Sequence, residues 1–161
     1  MIHQALTTIA NALNAHLKSN LGHNEDIVAL SALKSPDGSR DNHSVNKVAI
    51  TLVNTAFDAA MRNLGYRTQG LGNTVQSPPM ALNISMLVTS SFNDYHESLR
   101  FHDEVVAYFY QHPVHEQVSD KISKLTIEPL MLSYEDNRNI WQALGCSYMP
   151  SSLYIVRIIA A

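Results

Sequence analysis

The stretch LGCSYMPSSLYIVRIIAA, residues 144–161, carries the most information about the fold of this 161-residue chain. After a glycine and Pro150 it becomes a run of β-branched and aromatic residues at 153–159, which is typical of a β-strand. Both alternating faces of this run are apolar, so we expect the strand to be covered on both sides. An uncovered strand of this composition would promote aggregation. It therefore belongs either inside the sheet of its own chain or against another chain.

Three helices are predicted upstream of this strand. Apolar residues spaced three and four apart indicate the first helix over residues 2–19. The second begins at Asn93 or Asp94 and ends before Pro113. The apolar positions that we assign to it are Tyr95, Leu99, Val105, Val106 and Phe109. Ser133 opens a third, short helix that ends at Gly145.

The remaining apolar segments predict strands and, with the helices, a fold class. Apolar or alternating runs indicate strands at residues 27–33, 46–55, 80–90 and 124–133. Because Pro129 cannot donate to a β-ladder, we expect the last of these to be an edge strand or to be bulged there. The order α-β-β-β-α-β-α-β places no helix between most of the strands. We predict a single α+β domain over residues 1–161, with a mainly antiparallel sheet flanked by helices.

The composition excludes several classes of function. Hydrophobic residues make up 45% of the chain and charged residues only 16%, so we expect self-assembly or a larger partner to cover part of the surface. A net charge of -3 without a basic run argues against a nucleic-acid partner. No segment is long enough to span a membrane, and the N-terminal residues lack a signal-peptide pattern. We therefore expect no membrane association and a cytoplasmic, reducing environment.

No combination of residues predicts catalysis. His112, His115 and Glu116 form the closest cluster, but Pro113 and a histidine spacing of three do not match the helical zinc-hydrolase pattern. We assign this segment to a polar junction between a helix and a loop. Cys146, the single cysteine, forms neither an internal disulfide nor a cysteine zinc site. We expect no enzyme activity and no cofactor, and a small metal-dependent hydrolase using His112 and His115 is the less favoured alternative.

Eight residues near the C-terminus form a recognisable pattern: a tryptophan on a short helix, a Leu-Gly turn, an aromatic residue, Pro-Ser, and a strand with tyrosine and arginine. They are Trp141, Leu144, Gly145, Tyr148, Pro150, Ser151, Tyr154 and Arg157. The pattern resembles the closing signature of the cap, or tail-terminator, family of extracellular contractile injection systems. Residues 1–17, 48–54 and 78–114 resemble that family's opening helix, early strand and central strand-plus-helix. The resemblance therefore covers nearly the whole chain.

This resemblance implies a fold similar to that of phage tail terminators and a structural function without chemistry. The family is thought to cap the inner tube and the contractile sheath at the end distal to the baseplate, and so to fix the tail length. The implied partners are further copies of the chain in a six-fold ring, the inner tube protein and the sheath protein. Assembly would occur in the cytoplasm, within a particle that is released or stays inside the cell. Another tail-associated adaptor, of the tube or the baseplate, is the alternative.

The same resemblance suggests where contacts with the partners occur. Residues 64–79 form a long segment without periodicity, and we expect Tyr66 and Arg67 in it to contact the tube. For the final strand, two arrangements remain open. It completes the core beside the strand at 80–90, or it exchanges with a strand of a sheath subunit.

Overall fold

The computed structural model describes residues 1–62, 67–68, 75–76 and 80–161, and the side chains of residues 1–60 and 80–161. None of the described helices is long and apolar enough to cross a membrane. The described helices and strands are α1 (Ile2–Leu21), β1 (Val28–Leu30), β2 (Lys47–Phe57), α2 (Ala59–Arg62), β3 (Arg67–Thr68), β4 (Val75–Gln76), β5 (Ala81–Ser91), α3 (Tyr95–Gln111), β6 (Val114–Ser119), β7 (Ile122–Pro129), α4 (Tyr134–Leu144) and β8 (Ser151–Ala160).

One mixed sheet of six strands organises the domain, in the order β1-β2-β5-β8-β7-β6. β1 lies parallel to β2, and the other neighbouring strands are antiparallel, which confirms the predicted α+β class. The final strand β8 is central, with Ala81 opposite Ile159 on the β5 side and Ile127 opposite Val156 on the β7 side. Of the two arrangements that were open for this strand, the structure has the first, in which it completes the core beside β5.

The two faces of the sheet are covered unequally. α1 and α3 pack on one face and enclose the main core, which includes Ile84 and Met86 of β5 and Val156 and Ile158 of β8. On the other face α4 covers a smaller second core. Its buried members are Leu33, Ala49, Leu87, Trp141 and Leu153. β8 therefore contributes to both cores through alternate residues, which explains why both of its faces are apolar.

The predicted helix ends agree with the structure. Asp94 caps α3, because its Oδ1 accepts a hydrogen bond of 3.0 Å from the backbone N–H of His96. Ser133 caps α4 in the same way, accepting a bond of 3.1 Å from the N–H of Asp136. α4 ends at Gly145, whose φ of 70° lies in the left-handed region that favours glycine.

The predicted apolar side of α3 is partly wrong. Val105 and Phe109 are buried as expected, but Tyr95, Leu99 and Val106 are exposed. The buried side consists of Ser98, Phe101, Val105, Tyr108 and Phe109. The error has a physical reason: α3 carries apolar residues on two sides, and helical periodicity alone does not indicate which side faces the sheet.

The segment around His112, His115 and Glu116 also differs from the predicted polar junction. Val114–Ser119 forms the edge strand β6, so β7 is not an edge strand. Pro129 is tolerated because it is the last residue of β7 and lies beyond the first residue of β6, which pairs with Thr126. Ile127 N–H bonds Pro113 O at 2.7 Å, so by strand alternation position 129 faces the same side, beyond the start of β6. The irregularity of β7 lies instead between Ile122 and Lys124.

The segment 64–79 is only partly described. It contains the short antiparallel pair β3–β4, in which Arg67 lies opposite Gln76 and Thr68 opposite Val75. Tyr66 lies outside the described residues, and of Arg67 only the backbone is described. The expected tube contact through these two residues therefore stays a prediction.

Candidate assembly surface

Four residues of the C-terminal pattern meet at the end of α4. The Trp141 indole is only 4% exposed and packs in the second core, and Leu144 packs against the same core. At Gly145 the chain turns, and Lys34 Nζ donates a hydrogen bond of 2.9 Å to the carbonyl of Gly145. The turn brings Tyr148 back against Trp141, with ring centroids 5.5 Å apart and planes at 70°, an edge-to-face contact. Trp141 and Tyr148 therefore form a pair that Leu144 and the turn at Gly145 support, and we call these four residues the aromatic unit.

The other four residues of the pattern lie in the strand β8 or directly before it, outside the aromatic unit. The carbonyl of Pro150 accepts a hydrogen bond of 3.0 Å from Ser90 N–H, which aligns the start of β8, including Ser151, with β5. Tyr154 lies in the main core, 4.5 Å from the Phe109 ring by centroids, and burial raises the pKa of its hydroxyl. Arg157 lies on the opposite face, where its Nε is 3.4 Å from Asp58 Oδ2. Pro150, Ser151, Tyr154 and Arg157 thus lie in the sheet or at its start, and the role of the eight residues in assembly stays a prediction.

A groove beside this aromatic unit joins three parts of the chain that are distant in sequence. One section, with a volume of about 340 Å³, lies between Val106 of α3, the segment 129–133 and the start of β8. An adjoining section of about 650 Å³ runs along α4. Tyr134, Asn137 and Tyr148 line both sections, so we treat them as one feature, the α3–α4 groove.

Large apolar side chains at and near the rim of the α3–α4 groove are exposed to solvent. Tyr134 is 98% exposed, and Tyr148 and Leu130 are also exposed. Met131, the residue after Leu130, is 96% exposed. Arg138 is the one charged side chain among the residues that line the groove. Exposed aromatic and aliphatic side chains around a weakly charged groove are typical of protein–protein interfaces.

The polar groups at the α3 side of the groove are few and partly buried. Ser152, which lines the groove, has its Oγ 3.3 Å from Nε2 of His102 on α3. Burial lowers the pKa of His102, and the nearby Asp103 carboxylate opposes this effect. The neutral imidazole is therefore favoured near neutral pH, and this side of the groove adds no positive charge.

Sequence patterns identified only part of this surface. They singled out Trp141 and Tyr148, placed Val106 on the apolar side of its helix, and did not indicate Leu130 or Tyr134. These residues belong to different segments that meet only in the folded chain. One feature of the sequence could have indicated this surface. Apolar residues follow Pro129, in the connection between β7 and α4, and apolar residues in such a connection are not positioned by a helix or strand to face the core.

The histidines considered for metal binding lie away from the groove lining. His112 Nδ1 is 3.0 Å from the carbonyl of Tyr108, and its ring stacks on the Tyr108 ring at 4.5 Å. Burial, and after it the nearby His112, lower the pKa of His115. In the part of the chain with described side chains, no three His, Cys, Asp or Glu residues come together as a metal site. The described side chains therefore give no support to the hydrolase alternative.

Comparisons with known proteins identify a family and a common fold. The model of the family described as the Pvc16 N-terminal domain matches residues 4–161. None of the curated proteins matches the sequence. The chain is similar to the PVC sheath/tube terminator, solved in the extended state of an extracellular contractile injection system, with a TM-score of 0.67 and 16% identity. It is also similar to the tube terminating cap of the anti-feeding prophage AFP, with a TM-score of 0.58 and 14% identity.

These likenesses extend over all or nearly all of the chain, but not over all of the solved proteins. The match to the PVC terminator covers 100% of this chain and 57% of the terminator chain. The match to the AFP cap covers 95% of this chain and 54% of the cap chain. At these identities the comparison shows a common fold. The predicted similarity to tail terminators is thereby confirmed at the level of the fold.

Proposed function

The chain belongs to the Pvc16 N-terminal domain family, and we propose that it is a structural cap that terminates the inner tube and the contractile sheath of a contractile injection particle. It acts at the end distal to the baseplate and fixes the tail length. The observation that carries the proposal is the exposed α3–α4 groove on a fold shared with a sheath/tube terminator and a tube terminating cap.

The groove supplies a physical means of capping. A cap has to bind the last layer of a polymer tightly and offer no equivalent site to the next subunit. Burying one apolar side chain of the groove, such as Leu130 or Tyr134, contributes up to about 3 kcal/mol, so a few of them offset much of the entropic cost of association. Binding and steric occlusion are then sufficient, and no catalytic group is required.

The proposal includes a homo-oligomer and two partners. Six copies form a ring that matches the six-fold symmetry of the tube and the sheath, which the family resemblance implies. Head-to-tail contacts around a closed ring bury surfaces that are not self-complementary, and they leave the α3–α4 groove available to the tail. The inner tube protein and the sheath protein are the partners, and the ring assembles on the tail in the cytoplasm of the producing cell.

Electron microscopy of particles from cells with and without the gene tests this function. The tails are expected to be variable or runaway in length without the protein and uniform again after complementation. Uniform, normally ended tails in the absence of the protein would refute the proposal. A six-fold density at the tail end would in turn support the ring.

Two matched variants separate the groove from the rest of the surface. Tyr134→Asp places a charge at the first residue of α4, where a carboxylate stabilises the helix N-terminus, so the fold is retained. We expect it to prevent capping, whereas Tyr134→Phe retains it. Tyr95→Asp makes the same change at the first residue of α3, eleven residues or about 16 Å of helix from Val106. Capping that survives Tyr134→Asp as well as it survives Tyr95→Asp would contradict a role of the groove.

A further inference from the structure

Two histidines from different elements meet around the ring of Tyr108, on the face of the sheet that carries α1 and α3. The Tyr108 ring is only 4% exposed and stacks on the His112 ring, with centroids 4.5 Å apart. It also contacts the His16 ring of α1 at 5.0 Å, and the rings of His16 and His112 are 6.3 Å apart. Because His112 is the residue that directly follows α3, these contacts join α1 to the end of α3.

A third histidine, His115, adds the edge strand β6 to this group. It lies directly opposite Leu125 of β7, and directly opposite residues of an antiparallel pair share one face of the sheet. Because Leu125 is buried in the main core, His115 lies on the helix side as well. Its Nε2 is buried without a hydrogen-bond partner among the described residues. Burial lowers the pKa of His115, and the neighbouring His112 lowers it further. We call His16, His112 and His115 the histidine cluster.

Little negative charge faces the histidine cluster. In the part of the chain with described side chains, the carboxylate that contacts it is Glu104 of α3, whose Oε2 lies 3.5 Å from Nε2 of His16. The Asn20 amide of α1 is 3.2 Å from both groups. The core-facing residues of β7 are apolar, and Glu116 and Lys124 alternate to the opposite face of the sheet. Three protonated imidazoles are therefore balanced by a single carboxylate.

We propose that the histidine cluster is an acid-sensitive switch for the edge strand β6. With neutral imidazoles the cluster packs together, and β6 lies against the helices. Protonation places like charges on neighbouring rings and an N–H without an acceptor at the buried Nε2 of His115, so β6 separates from the helices. The inference concerns the fold itself and goes beyond the proposed function.

β6 is the element of the sheet that can open at the lowest cost. Among the described strands it pairs with β7 alone, and its register shifts between Glu116 and Ser119. Short edge strands with few buried contacts are the regions of a fold that open locally, without global unfolding. When β6 opens, β7 becomes the edge strand, and the backbone groups that β6 covers become accessible to solvent.

Amide hydrogen exchange of the full chain, followed by NMR at pH 7.5 and 5.5, tests the switch. Each rate is divided into the intrinsic rate at the same pH to give a protection factor. The N–H of Ile127 bonds Pro113 O at 2.7 Å, so by strand alternation the N–H of Leu125 also faces β6. At pH 5.5 we expect the protection of these two amides to fall at least tenfold more than that of Met86 and Val156, which lie in the central pair β5–β8.

Two variants test whether the histidines cause this response. The double variant His112→Gln, His115→Gln replaces two imidazoles by side chains that stay neutral at both pH values. We expect its extra loss of protection between β6 and β7 at pH 5.5 to be less than threefold. His96→Gln removes an exposed histidine at the other end of α3, and we expect it to respond to pH like the wild type.

Three outcomes would overturn the inference. The first is protection of the Leu125 and Ile127 amides that does not change between the two pH values. The second is an equal loss in all strands, which would indicate lower global stability alone. The third is a folded double variant that responds to pH like the wild type. If the double variant does not fold, the comparison of strands in the wild type still decides. Because all measurements use the isolated chain, they are independent of the tail length that tests the cap function.

Discussion

Replacing Trp141 by alanine tests whether one side chain holds α4 on the sheet. The indole is 4% exposed, and it is the only residue of α4 that is fully buried. Among the side chains that the structure describes, the second core has four other buried members, so little of it can close around the lost volume. We therefore expect α4 and the α3–α4 groove to be less stable than the main core in this variant.

The expected magnitude follows from two opposing effects. Removing a buried tryptophan costs about 3–5 kcal/mol of unfolding free energy, through lost burial and the cavity left behind. However, Nε1 of Trp141 is buried without a hydrogen-bond partner among the described residues, and an unpaired buried donor costs about 1–3 kcal/mol. Because alanine removes this donor as well, we expect the lower value, about 3 kcal/mol, for Trp141→Ala. Trp141→Phe keeps a ring and removes the donor, so we expect a loss below about 1.5 kcal/mol.

Urea unfolding followed by far-UV circular dichroism measures both variants. Fluorescence is unsuitable because Trp141 is the single tryptophan of the chain. Tyr148→Ala is the control, since it removes the exposed partner of the same edge-to-face pair and should cost only about 0.5–1.5 kcal/mol. A loss below about 1 kcal/mol for Trp141→Ala would refute the anchoring argument. A Trp141→Phe variant as unstable as Trp141→Ala would refute the account of the unpaired donor.

Three further predictions concern other parts of the fold. Deleting residues 152–161 removes the central strand β8 and both of its ladders, so we expect no cooperative unfolding transition by calorimetry; a folded truncation would contradict this. Gly145→Ala and Gly22→Ala should each lower the unfolding free energy by roughly 1–2 kcal/mol, because both glycines have φ near +70°, where alanine is strained. A urea titration that finds no loss of stability would contradict this strain. His102 and His115 have pKa values below 6.5 in the folded chain, so the unfolded chain binds more protons. The unfolding free energy is thus undiminished by these histidines above pH 6.5 and decreases as the pH falls below it. In urea titrations between pH 5 and 7.5, the unfolding free energy of the double variant His102→Gln, His115→Gln should therefore depend less on pH than that of the wild type.

The success of sequence-based prediction varied with the kind of signal. The two-sided apolar pattern of β8 correctly indicated coverage on both faces, and Asp94, Ser133 and Gly145 marked helix ends by local hydrogen bonding and backbone conformation. The prediction of the buried side of α3 was partly wrong, because contacts with the sheet determine which side of the helix packs. β6 was missed since it is short and polar, and its strand conformation depends on pairing with β7.

The candidate surfaces were the least predictable features. Trp141 and Tyr148 were identified from their resemblance to a family pattern, yet the pattern also contained Tyr154, which is buried in the main core. The α3–α4 groove combines residues near positions 106, 130 and 150, and no local pattern links them.

The sequence by itself determined the local structure of this protein: where most helices begin and end, and which strands are apolar on both faces. These properties depend on interactions within a few residues, such as capping bonds, alternation and turn conformation. Only the tertiary structure decided which side of α3 is buried, that β8 lies between β5 and β7, and which surfaces stay uncovered. Those features depend on contacts between distant segments, and their energies are set by how whole elements pack rather than by any one residue.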